Sequence, residues 1–270
     1  MLMKLDDLSN FPSSIICLTE ESVETLYLLE MEHLISGVSA FVKRPLEAQK
    51  LPKVSLFTSS NYKKILSKKP ELIIGHSDIQ KDIARDLIEL GQNVYIANHR
   101  SIAGIIQYIG FIGKIVGAFE KAQKLQNELV EKVKLTQELT QSLQNKPKIY
   151  FEEWDEPQIS AIKWVGEVIE ICGGENIFKE KSQGLLAKER FVEHQDVISA
   201  NPDIIFGCWC GKKVNIESIY QRKGYEKVSA IKNKRVYELP PEIFLQPGPA
   251  PLIDGIDIIL KYVKEFNSED

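Results

Sequence analysis

The sequence predicts an α/β protein with two parallel-sheet lobes of similar topology, joined by one long α-helix, with a ligand cleft between the lobes. Three observations carry that expectation. The segment Lys69-Pro70-Glu71-Leu72-Ile73-Ile74-Gly75 is echoed half a chain later by Asn201-Pro202-Asp203-Ile204-Ile205-Phe206-Gly207. Short apolar runs alternate with helix-like stretches on both sides of the midpoint, the pattern of a parallel α/β sheet. Between the halves, Ser101 to Gln144 holds no proline and, from Ala118 onward, no glycine.

In the first half, Ile15-Ile16-Cys17-Leu18 reads as a buried strand feeding a helix capped by Thr19 or Ser22. Gly37 to Val42 reads as a second strand, leading into a Lys43-Arg44-Pro45 loop. Asn61 to Lys68 reads as a helix stopped by Pro70, and Leu72-Ile73-Ile74 as a fully buried strand. Ile79 to Leu90 is amphipathic and ends at Gly91, before a strand at Val94-Tyr95-Ile96. Phe119, Leu125, Leu129, Val133, Leu139 and Leu143 then stripe a helix of ~30 residues, which at 1.5 Å per residue would reach about 45 Å. A coiled-coil seam is the weaker reading, since no second heptad segment partners it.

The second half opens on a strand, Lys148 to Phe151, and a helical face from Ile159 to Cys172, with Gly173-Gly174 as its C-cap. Asp196 to Ala200 is a short helix, Ile204-Ile205-Phe206 the buried strand, and Val236-Tyr237 its neighbour. Leu252 to Phe266 closes the chain as a helix. The expected division is 1–110 for the first lobe, 111–146 for the connecting helix and 147–270 for the second lobe.

Composition narrows the function classes. The 270 residues are 43% apolar and 27% charged, with a net charge of −4, which gives no basic footprint for nucleic acid. No apolar run reaches the ~18 residues of a membrane span. Met1 to Asp7 lack a basic stretch followed by an apolar one, so the chain as written reads as cytoplasmic; a removed signal would make it periplasmic or otherwise extracytoplasmic. Of the four cysteines, Cys17 and Cys172 sit among apolar residues and are expected to be buried thiols.

Ligands of open α/β sheets bind beyond the carboxyl ends of the strands. In the first half that rule selects Thr19, Glu20, Phe41, Arg44, His76, Asp78, His99 and Arg100. In the second it selects Glu153, Trp154, Asp155, Trp209, Lys212, Phe244 and Gln246. Aromatic faces mixed with carboxylates and cations suit a bulky, partly apolar ligand with polar edges. Trp154 and Trp209 each either face that ligand or pack inward, whereas Trp164 is expected to pack. His76, Asp78 and His99 are ordinary metal-ligand types, and Cys208-x-Cys210 a soft-metal pair, but neither spacing is diagnostic and no metal is assigned. No phosphate-binding loop, dinucleotide fingerprint or nucleophile elbow occurs. Glu152 and Glu153 should point to opposite sides of a strand, so they are no ready acid/base pair.

Further stretches complete a likeness: Ile16 to Glu24, Leu51-Pro52-Lys53-Val54, Phe151 to Pro157, Cys172-Gly173-Gly174-Glu175-Asn176-Ile177-Phe178 and Gln246-Pro247-Gly248-Pro249. With the paired Pro-acid segments, they make the whole chain resemble the helical-backbone (class III) substrate-binding proteins of ABC transporters, and most closely their cobalamin-binding subgroup. The resemblance implies a non-enzymatic binding protein, acting as a monomer, that holds a cobalamin or related corrinoid between its lobes with little hinge motion. It implies no separate cofactor. Contacts would fall on Phe41, Trp154, Trp209 and Phe244, with polar help from Arg44, Glu153, Asp155 and Lys212. Siderophore, haem and metal-ion binders share the same motifs, and a chelatase-like tetrapyrrole-modifying enzyme using His76 and His99 is a further alternative. The resemblance also implies an ABC permease that docks on one glutamate per lobe. Here Lys63 and His194 stand at those places, beside Glu193, and a reversed charge disfavours docking. A cytosolic carrier or sensor is therefore the expected biological role.

Overall fold

The computed structural model describes residues 10–269, so the expectation drawn from Met1 to Asp7 lies outside the described residues. The chain divides into two compact units. The first holds residues up to 99 together with 103–128, and the second holds 100–102 and 129 onward.

Unit 1 runs β1 (Ile15–Cys17), α1 (Glu20–Leu28), β2 (Ile35–Ser39), β3 (Lys53–Ser55), α2 (Tyr62–Ser67), β4 (Leu72–His76), α3 (Lys81–Glu89), β5 (Val94–Ala97) and α4 (Ile102–Ile115), and then takes the first part of α5 (Phe119–Thr140). Its five strands are all parallel in the order β3-β2-β1-β4-β5. The chain builds outward from β1 to β3 on one side and then from β4 to β5 on the other. That reversal puts the switch point between β1 and β4, where ligands of open sheets settle. The central strands β1 and β4 carry the apolar runs of a sheet buried on both faces; Ile15, Ile16, Ile73 and Ile74 have no exposed surface.

Unit 2 continues with β6 (Lys148–Asp155), β7 (Gln158–Ser160), α6 (Lys163–Ile171), β8 (Glu175–Asn176), α7 (His194–Ala200), β9 (Ile204–Gly207), α8 (Ile216–Tyr220), α9 (Ser229–Lys232), β10 (Val236–Glu238), α10 (Pro241–Phe244) and α11 (Ile256–Glu269). Here β10-β9-β6 are parallel, and β6 uses its other edge twice, for β8 along its first half and for antiparallel β7 along its second. The similarity of the two sheets is therefore confined to one side. The triplet β6-β9-β10 repeats β1-β4-β5, while β7 and β8 share along β6 the edge that β2 takes along β1.

The repeated Pro-acid segment explains itself in this frame. In both copies the residue before proline, Lys69 or Asn201, is left-handed with φ 48°, ending the preceding helix. The acid after proline then accepts a backbone N–H at the entry to the neighbouring strand: Ser13 N, two residues before β1, donates to Glu71 Oε2 at 2.5 Å, and Lys148 N, the first of β6, donates to Asp203 Oδ2 at 2.9 Å. The backbone N–H groups of Glu71 and Asp203 answer by donating to Ser14 O and Lys148 O.

The helix expected from the stripe Phe119 to Leu143 is α5, while the 111–146 bounds drawn for it also take in the end of α4. Gly117, at φ 73°, turns the chain between α4 and α5, and an L side chain there would be strained. The boundary between the units falls between Glu128 and Leu129, inside the 22-residue α5. The strands β3, β7 and β8 carry no legible pattern in two or three residues and were not expected.

Gly207 closes β9 where a Cβ would lie 2.6 Å from Val214 Cγ1. Gly207→Ala is expected to lower stability by about 1–3 kcal/mol through overpacking, read as a lower urea midpoint with an unchanged slope.

Candidate binding site at the carboxyl edges of the two sheets

At the carboxyl edge of unit 1, β1 delivers Thr19 and Glu20 and β4 delivers His76 and Asp78. Thr19 holds the N-cap position of α1, but its buried hydroxyl donates to Glu21 Oε1 at 2.5 Å instead of capping the helix. Glu21 was not singled out from sequence, and it is the least ordinary group of this edge. It is 1% exposed, and desolvation, partly offset by the Thr19 hydroxyl, raises its carboxyl from 4.5 to about 7. Behind it lies the Tyr108 hydroxyl, buried and pushed well above its usual value by burial and then by the Glu21 charge.

His76 is buried, and its Nε2 donates to the backbone carbonyl of His99 at 3.0 Å, which commits that nitrogen as N–H. The two imidazoles meet edge to face at 5.0 Å, and His99 stacks on Tyr108 at 4.7 Å. Asp78 is exposed and takes the Ser77 hydroxyl at 3.1 Å. Among the described residues no three metal-ligating side chains converge. Arg100 is half-buried. Phe41 is 53% exposed at the end of β2, and Arg44 holds Glu24 Oε1 through Nε and Nη2 at 3.1 and 3.0 Å.

The carboxyl edge of unit 2 is built around β6. Its alternation sends Glu152 and Glu153 to opposite faces, as expected, and each meets its own arginine. Glu152 has no exposed surface and accepts Arg222 through two bonds, at 2.6 and 2.8 Å. The same carboxylate accepts Trp209 Nε1 at 3.1 Å and Gln158 Nε2 at 2.9 Å. Glu153 accepts Arg190 at 2.5 and 3.1 Å, while Arg190, 2% exposed, also donates to Ser160 O at 2.6 Å. Four donor N–H groups from three segments thus surround the buried Glu152 carboxylate, and Arg222 supplies the neutralising charge. Fork-to-fork geometry of this kind makes a desolvated charge tolerable.

On this base stands the accessible part. Trp154, half-buried, donates its indole N–H to Glu156 O at 2.9 Å. Lys212 reaches over both indoles, 4.2 Å from the Trp154 ring and 4.7 Å from the Trp209 ring, and its ammonium holds Asp155 Oδ1 at 2.6 Å. The cation–π geometry and the ion pair place Trp154, Asp155 and Lys212 in one partly exposed group.

Three expected contacts lie deeper than a ligand face requires. Trp209 is 2% exposed and serves as the platform under Lys212. Phe244 is fully buried against Phe151, and its carbonyl accepts the indole N–H of Trp164, which packs as expected. Gln246 is buried, with its amide donating to Glu242 O. The proline-rich segment thus belongs to the core because α10 turns it inward. Cys17 and Cys172 are buried thiols, as expected, each pushed up to about 12 by desolvation.

A family profile described as periplasmic binding protein matches residues 15–243. The chain belongs to the periplasmic binding protein family. A vitamin B12-binding protein of Vibrio cholerae serotype O1 is 26% identical over 261 residues, covering 94% of this chain and 90% of its own. The uncharacterized ABC transporter substrate-binding lipoprotein YvrC of Bacillus subtilis is 24% identical over 269 residues, covering 94% and 82%. Among solved structures, the periplasmic vitamin B12 binding protein BtuF of Vibrio cholerae superposes with a TM-score of 0.76 at 22% identity, over 96% of this chain and 99% of that one. The periplasmic heme-binding protein RhuT from Roseiflexus gives 0.78 at 20%, over 93% and 99%. At these identities the structural likenesses show the fold alone. The family is one of binding proteins and not of enzymes, so the chelatase-like alternative drops away.

Two outcomes test the buried charges. Arg222→Met leaves Glu152 desolvated and unneutralised, and a loss of about 3–5 kcal/mol in unfolding free energy is expected from denaturant melts. Glu21 gives a pH signature. Its folded value of about 7 lies above 4.5, so the folded state keeps a proton that the unfolded chain releases. Stability is therefore full below pH 4.5 and falls as pH rises toward 7, by on the order of 3 kcal/mol. Glu21→Gln should flatten that slope and leave the protein more stable than wild type at pH 8.

Proposed function

We propose that the chain is the substrate-binding protein of an ABC transporter, and that its ligand is a corrinoid of the cobalamin type. The observation that carries this reading is the recurrence of vitamin B12-binding proteins among its relatives, at 26–27% identity over most of the chain for those of Vibrio cholerae and Vibrio vulnificus. The carboxyl edge of unit 2 supports it chemically. Trp154 supplies an apolar ring face, and Asp155 and Lys212 supply polar groups of both signs beside it, matching a macrocycle with an apolar face and amide-bearing edges. In unit 1 we assign contacts to Phe41 and Arg44, the accessible aromatic and cation of that edge. No cofactor beyond the ligand itself is part of the proposal.

An ABC permease is the proposed partner, and the extracytoplasmic side of the membrane the proposed place of work, as the lipoprotein relative suggests. Among the described residues no helix is long and apolar enough to cross a membrane. Lys63 and His194 are both exposed, so the permease surface opposite them should lack the complementary cations that two glutamates would require.

Cyanocobalamin, haemin and a ferric siderophore should be titrated separately against tryptophan fluorescence and by calorimetry. Cyanocobalamin is expected to quench and to bind with a dissociation constant near or below about 1 μM, and Trp154→Ala to weaken it about tenfold or more. Neither heat nor quenching at about 100 μM cyanocobalamin would sink the corrinoid assignment.

A further inference from the structure

At the carboxyl ends of β2 and β3, beside Phe41, unit 1 carries an open pocket of about 530 Å³, lined by Ala40, Lys53, Ser55, Ser60, Tyr62 and Lys63 among others. It exists because β3 folds back on itself. Leu56 N donates to Ser59 O at 2.7 Å and Asn61 N donates to Val54 O at 2.9 Å, so Ser55 and Ser60 stand directly opposed between two hydrogen-bonded rungs. In such a pair both side chains leave on the same face, with Cβ atoms ~4.5–5.5 Å apart. Both hydroxyl oxygens are shielded from solvent, and neither has a hydrogen-bond partner; Ser55 is only 6% exposed. A buried hydroxyl without a partner is unfavourable and points to a group that the pocket is built to take.

The charges around it have one sign. Lys53 donates to Ala48 O at 3.3 Å, burial lowers its pKa, and among the described residues neither it nor Lys63 forms an ion pair. No carboxylate lines the pocket. The Tyr62 hydroxyl is already held by Asp86 Oδ2 at 2.8 Å, which leaves its ring as an apolar wall.

We propose that this pocket binds a small oxyanion-bearing molecule, whose phosphate or carboxylate group is taken by the Ser55 and Ser60 hydroxyls between the Lys53 and Lys63 ammonium groups. The volume exceeds that of a bare inorganic anion and leaves room for an organic body against Tyr62. None of its lining residues is among the corrinoid contacts assigned above, so failure of either reading leaves the other testable.

Sodium phosphate, glucose 6-phosphate and citrate, each titrated at constant ionic strength into the isotopically labelled full chain, test the proposal through backbone amide shifts. Saturable shifts clustered on residues 53–63 are expected, with an apparent dissociation constant of about 1 mM or tighter. Lys63→Glu and Ser55→Ala should each weaken it about tenfold or more. Whether a phosphate or citrate saturates first names the source of the oxyanion. Shifts that stay linear to about 20 mM for all three, or saturation unchanged in both variants, would overturn the site. Should Ser55→Ala fail to fold, Lys63→Glu, at an exposed position, decides alone.

Discussion

The parallel strand pairs β1–β4 and β6–β9 position the carboxyl-edge residues, and a carboxylate following a proline pins the start of each pair. A parallel sheet has no hairpin turn to set its register, so the chain must fix the offset of two strands that are distant in sequence. Glu71 and Asp203 do this by accepting a backbone N–H at the entry to the adjoining strand, while their own N–H groups bond back to that entry. With that end fixed, period-two alternation determines which residues emerge at the far end. Thr19 and His76 come out side by side in one sheet, and Glu152 beside Trp209 in the other. A slip of one residue would turn Glu152 toward the face that Glu153 now occupies.

That placement costs a buried charge. Glu152 lies opposite Gly207 at the end of β9, and three nearby segments each send it a donor: Arg222, Trp209 and Gln158. The ion pair is weak evidence for stability on its own account. Its consequence is geometric, because it orients the Trp209 indole on which the Lys212 ammonium rests. The accessible group Trp154, Asp155 and Lys212 therefore stands on a rigid base rather than on a free loop. Unit 1 solves a similar problem differently, keeping Glu21 protonated near neutrality instead of neutralising it with a cation.

Much of this was legible in the residues, and the reason is physical. Buried parallel strands must be apolar on both faces, so β1, β4, β6 and β9 stand out as runs, and the Pro-acid signature repeats because the stitching problem occurs twice. The rule that ligands gather at carboxyl ends selects Trp154, Asp155 and Lys212, which the structure brings together at the carboxyl edge of unit 2. What stayed hidden depends on contacts between segments far apart in sequence. Nothing in Gln221-Arg222-Lys223-Gly224 marks Arg222 as the partner of a strand carboxylate 70 positions away. Phe244 is selected because it follows the carboxyl end of β10, but α10 buries it. Glu21 sat unremarked in a capping stretch because burial, which raises its proton affinity, has no local signature.

The proposed corrinoid ligand rests on the Vibrio relatives and on the aromatic and charged rim of unit 2. Native mass spectrometry of the chain purified from its own cells tests that claim most directly. The account predicts a one-to-one adduct with the mass of a cobalamin or related corrinoid. An adduct of haem or of a ferric siderophore in its place would contradict it.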